Sequence, residues 1–510
     1  MNRKQRIRRH RRPPREDREA MVAVVKMVQP LLKIPVYHLL DVESLELLHR
    51  KSLQVLAEVG VAFYDAEARA ILREAGATVE GETVRFDPAL VEETIARAPS
   101  QFTQLARNPA HNVLIGGDHL CFAPVYGSPY VHDLDGGRRE ATLHDFQNFV
   151  RLSHLSPYLH HTGGTIVEPT DIPPAVRHLD MLFSHIKYSD KAFMGAVMSA
   201  EQAADSVAMA KIVFGAEAVR RRPALLSLIN INSPRQLDGR MLGALTVYAR
   251  ARQGVTITPF TLSGAMAPAS VAATIVQQNA EALAGIAYAQ MVQPGTPVVY
   301  GSFMTNVDLR SGSPVMGSPE SVLGLYASAQ LARRYRLPFR SGGMFASAKI
   351  PDAQAAYESV MTMLPAVQAG VNFVLHAAGW LENGLTAGYE KFVLDCELLG
   401  MFHKLVQGLD LSAEGLAMDS IRSVPPGGHH LGTPHTMRHF RTAFYRADLF
   451  DYQPAEKWAL DGSLDAAARA SARYRQLLRD YEAPPLDPAT EEALRDFIAR
   501  RKEAIRRSAQ

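Results

Sequence analysis

Four histidines crowd the segment from Pro425 to Arg441, PPGGHHLGTPHTMRHFR, together with paired glycines and two threonines. Glycine admits backbone conformations that other residues avoid, and imidazole serves as donor, acceptor or metal ligand, so the stretch reads as a shaped polar loop. His435 and His439 stand four apart and follow His429 and His430, a spacing that could place imidazoles on one metal. Metal-dependent barrels, however, draw their ligands from several strand ends, and no H-x-H occurs in the first candidate strand. The expected role of His429, His430 and His435 is therefore substrate anchoring or structure, with no metal.

A second set of reactive types sits at the ends of apolar runs: Tyr126, Tyr130, Phe260, Phe303, Arg340, His376 and Trp380. Aromatic rings so placed can simply cover a core. They can also form a cage for a quaternary ammonium group, each face contributing about 0.5–2 kcal/mol once water is excluded. Other chemistries lack support. GGT at 163–165, SGSPVMGSPE at 311–320 and SGGM at 341–344 have neither the G-x-G-x-x-G nor the Walker arrangement, and Ser263 in TLSGA lies outside G-x-S-x-G. His160, His161 and His185 read as ordinary core or surface histidines.

The elements that must position these residues alternate. Short apolar runs at 120–126, 160–167, 192–197, 225–230, 255–261, 297–303, 337–342 and 371–379 are candidate strands, and helical patterns such as SAEQAADSVAMAKIVFG and SPESVLGLYASAQLARRYR lie between them. Eight such pairs predict an α/β fold, a (β/α)8 TIM barrel over 116–380, with an open doubly wound sheet as the alternative. Active sites of this barrel collect at the C-terminal strand ends, where the aromatic and polar set falls. Residues 20–115 read as a mainly helical N-terminal region, with starts at Leu45, Asp65 and Asp87-Pro88. Residues 381–510 read as a C-terminal helical extension whose GGHHLG loop packs on the barrel.

Composition narrows the class further. With 510 residues and 47% hydrophobic content the chain can bury a large core, and no run of eighteen apolar residues or signal-peptide pattern occurs. A cytoplasmic protein without membrane contact is expected. Cys121 and Cys396, the two cysteines, are expected core thiols. Residues 3–18 hold nine Lys or Arg against two acids, more positive charge than the chain's formal +3, so the rest is net acidic. Residues 1–19 are thus expected to be a disordered basic tail, and no nucleic-acid face follows from it.

Three stretches together carry a resemblance: HLLDVESLELLHRKSLQVLAEVGVAFYD at 38–65, SGGMFASAKIPDAQAAYES at 341–359 and GGHHLGTPHTMRHFRTAFYRADLFDYQPAEKW at 427–458. In their order and spacing the chain resembles the trimethylamine methyltransferase family, in the branch without pyrrolysine that includes glycine betaine:corrinoid methyltransferases. The resemblance implies a (β/α)8 barrel that passes a methyl group from a methylated amine to the Co(I) corrinoid (cobalamin) of a separate corrinoid protein. It implies no cofactor held tightly by this chain, and a homo-oligomer. In trimethylamine enzymes of the family a pyrrolysine lies near the end of the seventh strand; this chain has ordinary residues at Gly343 to Ala346, which points to a quaternary amine such as glycine betaine. Tyr126, Phe303, Phe345 and Trp380, with Phe260, are then the expected cation-facing aromatics. Arg340, His376, His429, His430 and His435 are the expected donors to a carboxylate. Betaine members commonly read S-D-W-x-N-F-E-x-W where this chain has DLFDYQPAEKW, with Trp458 in register. The competing readings are a metal-dependent TIM-barrel hydrolase using the histidine loop and a non-catalytic betaine-binding homologue.

Overall fold

Eight short parallel strands follow one another around a closed ring in the computed structural model, which describes residues 27–508; the basic tail at 1–19 lies outside them. They are β1 (Cys121–Phe122), β2 (160–162), β3 (Phe193–Met194), β4 (Leu225–Asn232), β5 (Gly254–Ser263), β6 (Val298–Gly301), β7 (Phe339–Gly342) and β8 (Phe373–Leu375). Parallel ladders join β3 to β4, β4 to β5, β5 to β6, β6 to β7, β7 to β8 and β8 to β1. The ring closes through β2. His160 N–H donates to the Phe122 carbonyl at 3.0 Å, and on the other side Thr162 N–H donates to the Ala192 carbonyl at 2.9 Å and Met194 N–H to that of Gly163 at 2.8 Å. Every candidate run from the sequence supplies one strand of this barrel. Most of the strands are shorter than their apolar runs, because the backbone turns away as soon as it passes the barrel wall.

Helices separate the strands: α4 (Leu143–Leu155), α5 (Arg177–Tyr188), α6 (Ala200–Phe214), α7 (Gly239–Arg250), α8 (Val271–Val292), α9 (Pro319–Arg334), α10 (Ala353–Gln368) and α11 (Tyr389–Leu405), preceded by α1 (Val42–Gln54), α2 (Ala66–Glu74) and α3 (Pro88–Ile95). Their starts follow local chemistry. Thr142, Ser199, Asp238, Ser270, Ser318 and Asp352 each accept a first-turn backbone N–H, the N-cap role for which short oxygen-bearing side chains are suited. Helix α8 is apolar nearly all round because α1 and α3 pack on the side facing away from the barrel.

The N-terminal region is less helical than its periodicity suggests. Strands Val61–Phe63, Thr78–Glu80 and Thr83–Arg85 lie between its helices, and Val61–Phe63 pairs in parallel with Gln236–Leu237. A hairpin of Gln101–Gln104 and Val113–Gly116 places Phe102, Val113 and Ile115 against Cys121, Leu226 and Phe373, residues near the starts of their strands. This hairpin closes the lower end of the barrel, and the upper end is left as the mouth.

Beyond α11 the chain forms short turns and then α12 (Ala466–Arg479) and α13 (Pro488–Ser508), which pack back on the barrel helices. The GGHHLG loop does not pack on the barrel as expected; residues 427–432 are exposed. Rich in glycine and histidine, it offers one apolar side chain, the exposed Leu431, and His430 instead bonds Ser420 within the same excursion at 3.0 Å. Among the described residues no helix is long and apolar enough to cross a membrane.

Candidate active site at the barrel mouth

Arg340 lies in β7 with 1% of its surface exposed, and its Nη2 donates to His376 Nε2 at 3.0 Å. That bond fixes the tautomer. Nε2 is the acceptor, so the neutral ring carries its proton on Nδ1. Burial holds the His376 imidazole well below its usual range, and the Arg340 charge pushes the same way. Burial likewise draws the guanidinium down to about 9, partly opposed by the nearby Tyr126 phenol. Among the described residues no carboxylate pairs with Arg340, although a charge taken from water ordinarily requires one.

Aromatic rings enclose this pair. The His376 and Trp380 ring centres lie 4.5 Å apart, those of Phe345 and Trp380 4.8 Å, and Phe303 stacks on Phe345 at 4.9 Å with planes 3° apart. Phe260 meets Phe303 edge-on at 5.0 Å, and the Arg340 guanidinium sits 5.7 Å from the Phe303 ring centre. The same box contains four buried donor atoms with no acceptor among the described residues: Arg340 Nε and Nη1, His376 Nδ1 and Trp380 Nε1. Each orphaned donor costs about 1–3 kcal/mol, so a cluster of four on touching side chains is what a ligand with acceptor oxygens would relieve.

The backbone is shaped to hold this box. His376 has φ +70° and Met344 φ +55°, left-handed conformations that non-glycine residues adopt at a cost, and both fall just beyond the ends of β7 and β8. A Cβ on Gly342 would lie 1.9 Å from the Phe345 ring, so that ring can fold over β7 only where the side chain is absent. Gly342→Ala is therefore expected to cost about 1–3 kcal/mol by overpacking. It should also change the emission of Trp380; an unaltered melting temperature and spectrum would contradict this contact.

Behind the box lies a pair that sequence reasoning missed. Lys391 and Asp395 of α11 are both buried, with Nζ 2.6 Å from each carboxylate oxygen. Lys391 also reaches the Met344 carbonyl at 3.4 Å, and Asp395 accepts the Gly379 N–H at 2.9 Å. One ion pair thus ties down the turns that carry Phe345 and Trp380. Burial raises the Asp395 carboxyl to about 6 and lowers the Lys391 amine, each opposed by its partner. In the sequence an i, i+4 Lys/Asp pair looks like an ordinary solvated helix face.

Tyr126 stands to one side, its ring on Gly164, where a Cβ would approach to 2.8 Å, and burial raises its phenol to about 12. It forms one wall of a neighbouring cavity of about 320 Å³, lined also by Glu168, His178, Met181, Met198 and Arg240. Arg340, His376 and Trp380, which carry the four orphaned donors of the box, do not line this cavity, whose own lining holds the unpartnered His178 Nδ1.

The structure thus brings together Phe260, Phe303, Arg340, Phe345, His376 and Trp380, with Tyr126 adjoining. It does not bring His429, His430 or His435 to them. Helix α11 runs from the mouth to the base, where His403 packs on Phe122 and His160 and the Val406 carbonyl accepts the Lys33 N–H. The histidine loop follows that lower end. His435 Nε2 instead meets the Glu414 carbonyl at 3.0 Å.

A closed parallel barrel with a donor-lined aromatic box at its C-terminal mouth defines a small-molecule enzyme of the (β/α)8 class. The family model for trimethylamine methyltransferase (MTTB) matches residues 5–506. The chain is 45% identical over 473 residues to glycine betaine methyltransferase of Desulfitobacterium hafniense (strain Y51), covering 92% of this chain and 98% of that protein. It is 31% identical to trimethylamine methyltransferase MttB of D. hafniense (strain DSM 10664 / DCB-2), over 89% and 92% of the two chains, and 30% identical to the proline betaine:corrinoid methyltransferase of Eubacterium limosum, over 89% and 96%. The chain belongs to the trimethylamine methyltransferase family and is a methyltransferase.

Proposed function

We propose that this enzyme removes a methyl group from a carboxylated quaternary amine of the glycine betaine type and delivers it to the Co(I) corrinoid of a separate protein. The observation that carries this reading is the buried Arg340, with two orphaned donors of its own and one each on His376 and Trp380, inside a box of aromatic rings. The donors suit a carboxylate, for which a guanidinium is the preferred partner, and the ring faces suit a trimethylammonium group. One small molecule carrying both charges answers both halves of the site.

The reaction asks little acid-base chemistry of the protein. The corrinoid supplies a nucleophilic Co(I) that takes the methyl carbon, while the electron pair of the broken C–N bond stays with nitrogen. The leaving group is a neutral tertiary amine, so no proton need be delivered to it. What remains for the chain is to hold the carboxylate at Arg340, turn one methyl outward and exclude water. Phe303 and Phe345 stack face to face at 4.9 Å, so on this reading a cation held between ring faces requires Phe303 to turn aside. The names of the relatives that act on glycine betaine and proline betaine support the same substrate class.

Incubation with glycine betaine and a Co(I) corrinoid is expected to give dimethylglycine and the methylated corrinoid in equal amounts. Absence of transfer from glycine betaine and other carboxylated quaternary amines would overturn the reading. Trp380→Leu, which keeps an apolar side chain but removes the ring quadrupole and the Nε1 donor, is expected to weaken betaine binding by at least roughly 3- to 30-fold, the equivalent of about 0.5–2 kcal/mol for one cation-facing ring. Calorimetric titration would check this, and undiminished affinity would remove Trp380 from the cage.

A further inference from the structure

We propose that Glu414, His435 and His439 form a binding site for a zinc-type divalent cation that staples the excursion between α11 and α12. The three side chains offer one carboxylate oxygen and two imidazole nitrogens, all within 4.8 Å of one another. His439 Nε2 lies 2.6 Å and His435 Nε2 3.9 Å from Glu414 Oε1, and the two rings are 4.7 Å apart on one turn of the short helix Pro434–His439. With Zn–N and Zn–O bonds of about 2.0–2.2 Å, donors on a tetrahedral ion stand roughly 3.3–3.6 Å apart. The observed separations bracket that value, so binding asks for rotamer adjustment and no backbone movement. Arg438 also donates to Glu414 Oε1 at 2.8 Å and His435 Nε2 meets the Glu414 carbonyl at 3.0 Å, and metal binding would displace both bonds.

An independent observation explains why a staple is needed. Between residues 407 and 448 the only buried residues are Ser420 and Thr433, each 8% exposed. Leu409, Leu411, Leu431 and Phe444 are 70–87% exposed, so the excursion holds its shape without an apolar core of its own. Small units lacking a core commonly depend on a metal or covalent crosslink, and the metal's binding energy then becomes folding energy. The trio joins the turn Ala413–Leu416 to the helix Pro434–His439 across 21 residues of chain, the two short elements that must meet.

The site lies away from the barrel mouth, reached from the lower end of α11, and the chain returns at Tyr445, which bonds Glu397 midway along that helix. Its role is therefore structural and distinct from methyl transfer, and also from a metal-dependent hydrolase centred on the barrel. The trio is open to solvent, with the His435, His439 and Glu414 side chains 28%, 35% and 52% exposed.

The test uses the full-length protein stripped with a chelator and titrated with zinc chloride by calorimetry, and with cobalt(II) chloride by visible absorbance. One equivalent of zinc is expected, with the intense bands of tetrahedral cobalt(II). His435→Ala and His439→Ala should each weaken binding by more than the roughly 10- to 100-fold typical of losing an outer partner, whereas His144→Ala at an exposed site elsewhere should not. Glu414→Gln, which keeps size and a neutral acceptor oxygen for Arg438 and His439, serves if a histidine variant misfolds. Proteolysis within 409–444 should slow on adding zinc to the wild type alone. No stoichiometric zinc in the wild type, or full binding by the His435, His439 and Glu414 variants, would overturn the proposal.

Discussion

Arg340→Met is expected to reduce kcat/KM for glycine betaine by about 100- to 10,000-fold while leaving the melting temperature equal to or above that of the wild type. The first half follows from losing two hydrogen bonds between charged groups, each worth about 1.5–3 kcal/mol, with 1.36 kcal/mol per tenfold in rate. The second follows from the missing counter-ion. A guanidinium buried without a carboxylate destabilises the fold, and its replacement by an apolar side chain of similar length removes that burden. Steady-state kinetics with a saturating corrinoid protein and a thermal melt decide the matter together. A marked fall in melting temperature with unchanged kinetics would make Arg340 a structural residue.

Breaking the pair behind the box should have the largest effect on stability. Lys391→Met leaves the Asp395 carboxylate buried without its cation and is expected to cost about 3–5 kcal/mol, measured by denaturant unfolding or as the thermal inactivation midpoint. Combining it with Asp395→Leu should recover much of that loss, because replacing both partners leaves no uncompensated charge. The double variant should still lose activity, since the Met344 and Gly379 turns that carry Phe345 and Trp380 lose their fastening. A double variant with wild-type kinetics would show that the pair is dispensable to the site.

How much of this was readable beforehand varies with the physics of each part. The eight strands were legible because buried parallel strands are continuous apolar runs, and the capped helices between them mark their own starts. Arg340, His376 and Trp380 were expected at strand ends, and the structure places them together there. Their lack of an acceptor was not legible, because satisfaction of a buried donor depends on every neighbour in three dimensions. The Lys391 and Asp395 pair was hidden for the converse reason: its spacing is that of a solvated helix face, and only packing against the mouth buries it. The histidine loop misled. Its residue types suit a substrate site, yet nothing local tells that α11 carries the chain to the opposite end of the barrel. The strand Val61–Phe63 was obscured because its partner, Gln236–Leu237, is remote in sequence.

A crystal structure of the enzyme soaked with glycine betaine tests the central claim most directly. It should show the carboxylate within hydrogen-bond distance of Arg340 and of His376 Nδ1 or Trp380 Nε1, the trimethylammonium group within about 6 Å of the Phe345 and Trp380 ring centres, and Phe303 turned aside. Betaine seated instead in the cavity beside Glu168, with the Arg340 donors still unpartnered and the Phe303 and Phe345 rings still stacked, would contradict it.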